Sequence, residues 1–93
     1  MKKTWAIKDI PSNKVLCIEG SSIKAAIGNK HIQEILRYFV DDGDSISAIE
    51  WGLSHCNKTH KVELEMLYLS KEGEQTITMY IDAEPEDIFG SDS

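Results

Sequence analysis

Ninety-three residues with 41% hydrophobic and 28% charged content make one domain with a modest core, which argues against bulk disorder and leaves little room for a deep substrate cleft. The net charge of −6 is unevenly placed: residues 1–30 carry six Lys against Asp9 and Glu19 (net +4), while residues 31–93 carry four bases against fourteen acids (net −10). With Arg37 as the single arginine, this balance argues against electrostatic binding to DNA, RNA or anionic lipid, where Lys and Arg neutralise phosphate, and it suits a basic protein surface as partner.

In the opening stretch MKKTWAIKDI, Lys8 and Asp9 interrupt the apolar residues, so neither a signal peptide nor a transmembrane span is expected. Two cysteines, Cys17 and Cys56, form no disulfide framework, and a cytoplasmic protein with reduced thiols is the expectation. Thr4 to Ile10 reads as a strand, with Trp5 and Ile7 inward and Lys8 and Asp9 outward. Pro11-Ser12-Asn13 reads as a turn. Lys14 to Glu19 reads as a second strand, and its continuous run Val15-Leu16-Cys17-Ile18 places it centrally in a sheet.

Asn29 to Gly43 has the clearest helical period. Ile32, Ile35, Leu36, Phe39 and Val40 share one face, Asn29 is placed to cap the start, and Asp41-Asp42-Gly43 supplies the stop. Ile23 and Ile27 fall opposite that stripe, so one helix through 23–41 would expose them, and a break at Gly28-Asn29 resolves the conflict. Residues 23–27 are then a short strand or a separate helical turn, the strand being favoured.

Ser45 to Leu53 reads as a strand with Ile49, Trp51 and Leu53 alternating, and 55–60 as a polar loop. Lys61 to Leu69 is the strongest strand: Val62, Leu64, Met66 and Tyr68 take one face, Glu63 and Glu65 the other. Residues 70–74 form a hairpin turn, and Gln75 to Asp82 pairs back with Ile77, Met79 and Ile81 inward. The expected fold is α+β: an antiparallel sheet of about five strands with one main helix, about residues 29–42, packed on one face. Residues 1–83 make the domain and 84–93, rich in acids, a flexible tail.

No nucleotide-binding, esterase or zinc-protease motif is present. Cys17, His55, Cys56 and His60 number the four ligands of a tetrahedral zinc site, but no CxxC or HxxxH pair pre-arranges them, and a core cysteine beside a polar loop accounts for them. A Cys56–His60 nucleophile pair has no oxyanion-hole glycine motif with it. Asp41, Asp42 and Asp44 invite a calcium reading, but position six of an EF-hand loop would fall on Ile46 or Ser47. No catalytic residue, metal or cofactor is therefore assigned.

The acids carry the functional expectation. Glu63 and Glu65, two apart on one strand face, stand roughly 7 Å from each other, close to phosphate spacing along a nucleic-acid strand. Asp41, Asp42, Asp44 and Glu50 extend that patch, and Glu86, Asp87 and Phe89 in the run EPEDIF set an apolar anchor among further charges. Immunity, anti-restriction and anti-CRISPR inhibitors share this size and charge, although no motif matches a particular family. The expectation is a small acidic inhibitor, not an enzyme, that occludes the basic nucleic-acid-binding surface of a partner protein. Its alternatives are an accessory or assembly subunit, or a homodimer, acting through a sheet edge or apolar face, and a small metal-binding or Cys/His-dependent protein.

Overall fold

The computed structural model describes residues 2–40, 45–56 and 61–89, with Cys56 described in its backbone alone. The chain forms a five-stranded antiparallel sheet and two helices. In sequence these are β1 (Lys3–Asp9), β2 (Lys14–Gly20), α1 (Ile23–Lys30), α2 (Ile32–Phe39), β3 (Ser47–Cys56), β4 (Lys61–Ser70) and β5 (Gly73–Asp82). The strand order is β2-β1-β5-β4-β3, so two hairpin-linked groups meet where β1 pairs with β5. The helical segment carries the chain from one edge strand to the other.

Period-two patterning sets the two faces of the sheet. Trp5, Ile7, Ile18, Val62, Leu64, Met66, Tyr68, Met79 and Ile81 point to one face and are buried there under Ile23, Ala26, Ile27, Ile35, Leu36 and Phe39 of the helices. The alternation expected in β4 holds along its whole length: Val62, Leu64 and Met66 are fully buried, and Tyr68 nearly so. Among the described residues no helix covers the opposite face. Each fully buried aliphatic side chain adds about 1.5–3 kcal/mol of transfer free energy, so this one-sided core supplies most of the driving force.

Two helices replace the expected one. Ser22 caps α1, its hydroxyl accepting the Ala25 N–H at 3.1 Å. The break falls at His31, which adopts φ 72°, its N–H still donating to the Ile27 carbonyl at 2.9 Å. That left-handed residue reorients the chain, so both apolar stripes, whose phases clash along a single axis, face the sheet. Residues 23–27 are thus helical, and the favoured strand is corrected. Asn29 lies inside α1 instead of capping the next helix, and its side chain donates to the Glu19 carbonyl at 3.4 Å. The later helix covers Ile32–Phe39, and the expected stop at Asp41-Asp42-Gly43 lies outside the described residues. Seated on the end of β2, α1 passes so close to Gly20 that a Cβ there would stand 2.8 Å from the Ala26 nitrogen.

Three further expectations change. β2 is an edge strand, with Val15 and Cys17 exposed, because the described helices lie on the other face of the sheet. β3 runs on through His55 and Cys56, which the sequence reading placed in a loop. A bulge between Ala48 and Glu50 breaks its alternation: Ile49 is left half-exposed, while Trp51 and Leu53 are half-buried. Beyond β5, Pro85–Asp87 form a 3₁₀ turn in which the Glu84 N–H donates to the Asp87 carboxylate at 3.1 Å. Ile88 is buried and its carbonyl accepts the Lys24 N–H at 3.2 Å, so this one residue of the stretch expected as a flexible tail packs on α1. Residues 90–93 lie outside the described residues. No helix among the described residues is long and apolar enough to cross a membrane.

Candidate partner-binding face

The uncovered face of the sheet is where β4 presents Lys61, Glu63, Glu65, Leu67 and Leu69. Register fixes their neighbours. Glu63 lies between Ser54 of β3 and Tyr80 of β5, Glu65 between Gly52 and Thr78, and Leu67 between Glu50 and Thr76. Leu69 faces Glu74. Glu50 and Glu65 are therefore diagonal neighbours, about 7–8 Å apart along the backbone, and Glu63 follows at a similar interval on the same strand. Lys61 precedes Glu63 on this face, and Lys8 lies beyond Tyr80. The surplus of acid is therefore concentrated toward the Leu67–Leu69 end, where Glu50, Glu65 and Glu74 surround two leucines. Leu69, between Ser47 of β3 and Glu74 of β5, is 48% exposed.

Between Glu50 and Glu65 the face dips. Gly52 contributes no side chain, and Glu50, Trp51, Glu65 and Leu67 line the depression around it. The sequence reading missed Gly52 and Glu74. A glycine inside the alternating pattern of 49–53 was the available signal for the first. Glu74 falls in the stretch whose residues read as a turn, whereas β5 begins at Gly73.

The nine expected site residues do not form one patch. Glu50, Glu63 and Glu65 share the open face. Asp41, Asp42 and Asp44 lie outside the described residues. Asp87 and Phe89 sit on the helical side of the sheet, where the Lys3 ammonium pairs with Asp87 at 3.1 Å and the Lys24 ammonium lies 4.9 Å from the Phe89 ring centre. Partial burial works to raise the Asp87 carboxyl. The Glu84 N–H, the Lys3 ammonium and the Trp5 side chain outweigh it and hold the group below the usual aspartate value of 3.8. Asp87 thus serves the fold, tying the turn after β5 to β1, and Glu86 beside it is exposed.

The cysteine–histidine set is separated by the topology. Cys17 is on β2 and Cys56 on β3, the two edges of the sheet, four strand spacings or about 19 Å apart. That is too far for a disulfide or a shared metal ion. His60 lies outside the described residues, and among the described residues no three His, Cys, Asp or Glu side chains are grouped to hold a metal ion. Compared with known proteins, the chain matches no family model, no curated protein and no solved structure.

Proposed function

We propose that the chain is a small acidic inhibitor that lays the open face of β3, β4 and β5 on the basic, nucleic-acid-binding surface of a partner protein. The observation that carries the reading is the one-sided sheet. The helices take all the buried side chains of the strands on one face, leaving Glu50, Glu63, Glu65 and Glu74 together on the other. Carboxylates at intervals of roughly 7 Å on a rigid strand present charge at the spacing of a phosphate chain. Leu67 and Leu69 supply the apolar centre that a protein interface needs within a charged rim. Chemistry has no part in this role. The charged groups steer the encounter and make it salt-dependent.

The test is capture of partners from a lysate of the source organism by wild type and by the Glu63→Lys/Glu65→Lys variant, followed by a nucleic-acid-binding assay of the captured protein. Both substitutions are on the solvent face, so the fold is expected to survive. Wild type should displace nucleic acid from the partner, in a manner weakened by salt, and the variant should not. Equal capture by the variant, or a partner whose nucleic-acid binding is undisturbed, would refute the proposal.

A further inference from the structure

The two edges of the sheet are treated differently. On β2 the Val15 carbonyl accepts the Tyr38 hydroxyl at 2.8 Å and the Glu19 carbonyl accepts the Asn29 amide, so side chains of the helices occupy that rim. On β3 the Gln33 amide donates to the Ile46 carbonyl at 3.0 Å and accepts the Ala48 N–H at 2.8 Å, which pairs the start of the rim as a single strand residue would. Beyond the bulge, no described side chain meets the outer backbone groups of Glu50–Ser54. Edge strands are ordinarily blunted by charge, proline or shortness, yet β3 is ten residues long and Glu50 is its only acid or base besides His55.

Gly52 sits in the middle of this open rim. A glycine inside a strand marks a bulge, a bend or the close approach of something else. The bulge of β3 lies elsewhere, between Ala48 and Glu50. Among the described residues the one glycine with positive φ is Gly73, and a Cβ at Gly52 would meet nothing within 4 Å. Nothing within the described chain requires glycine there. What its absent side chain does is open the depression between Glu50 and Glu65 toward the β3 rim.

We infer that β3 accepts an extended segment of the partner protein as a sixth strand, with a Lys or Arg of that segment laid across Gly52 and its charge set between Glu50 and Glu65. An added strand places the residue opposite Gly52 two strand spacings from Glu65, roughly 9.6 Å, which the two long side chains span together. The methylenes of the incoming base rest beside Leu67, and the added backbone pairs with the outer N–H and C=O groups of residues 50–54. The inference rests on the acidic-face reading above and gives the partner a form: an extended basic segment instead of a folded basic surface alone.

The test titrates ¹⁵N-labelled protein with three seven-residue peptides. One alternates threonine and lysine, the second is the same peptide N-methylated at alternate residues on the edge that would face β3, and the third carries glutamate in place of lysine. The first should shift the amides of residues 50–54 most strongly. N-methylation, or Gly52→Val in the protein, should weaken binding at least tenfold, and the glutamate peptide should not bind. Equal binding of the N-methylated peptide, with shifts confined to Glu63, Glu65 and their neighbours, would overturn the edge inference and leave the acidic-face reading standing. Failure of every basic peptide to bind would overturn the edge inference and leave the acidic-face reading to the partner-capture test above. Concentration-dependent shifts at 50–54 without peptide would assign the rim to a second copy of the chain and overturn the inference as well.

Discussion

The contact between α1 and Gly20 gives a sharp test of the packing. A Cβ built at Gly20 stands 2.8 Å from the Ala26 nitrogen, 2.9 Å from its Cα and 3.2 Å from its Cβ. Ordinary contact begins near 3.4 Å, so Gly20→Ala requires about 0.6 Å of movement by helix backbone, which cannot rotate away as a side-chain tip can. Overpacking of this kind costs about 1–3 kcal/mol. A clash with backbone takes the upper part of that range, about 2–3 kcal/mol, and alanine's better strand conformation returns up to about 1 kcal/mol, leaving a net loss of about 1–2 kcal/mol. In a domain of this size that lowers Tm by about 4–15 °C. Gly52→Ala is the control, since its added Cβ meets nothing within 4 Å; it should be neutral or raise Tm by a few degrees. Thermal and urea unfolding followed by circular dichroism reads both. A Gly20→Ala variant as stable as wild type would show that α1 does not rest on the end of β2, and the account of how the helices are seated would fail.

Phe39 is 5% exposed and meets Tyr38 edge-on at 5.1 Å, so Phe39→Ala should cost about 3–5 kcal/mol in urea unfolding, and a near-neutral result would mean that the α2 stripe is not core. Asp87→Asn should lower stability at pH 7 by about 1 kcal/mol through loss of the charge paired with Lys3 and the weakened 3₁₀ cap. Because the folded carboxyl titrates below the unfolded one, its contribution is present above about pH 4 and is lost as pH falls through the folded value, under 3.8. The wild-type and variant melting temperatures should therefore converge in acid, and a difference that persists at pH 2 would refute the charge-based account.

Much of the architecture was legible in the residues because local periodicity expresses it. The alternation of 61–69 and 75–82 gave strands, inward faces and the hairpin between them, since every second side chain of a half-buried strand meets the core. The phase conflict between Ile23–Ile27 and Ile32–Phe39 was also visible, and it correctly demanded a break. Its position was not visible, because His31 at φ 72° has no glycine to advertise it. The edge position of β2 was hidden for a similar reason: Val15-Leu16-Cys17-Ile18 reads as buried on both sides, yet which faces of a sheet are covered depends on where the helices lie.

Of the proposed face, composition set the charge imbalance, and a period of two set the outward direction of Glu63 and Glu65. Tertiary structure decided the rest. Strand order brought Glu50 and Glu74 beside them, put Cys17 and Cys56 at opposite edges, and turned Asp87 into a structural ion pair with a residue 84 positions away. Among the described residues it also left the outer rim of 50–54 in β3 without a side-chain partner, with Gly52 at its centre. Pairing between strands distant in sequence is set by the free energy of one shared core, which no short stretch of residues encodes alone.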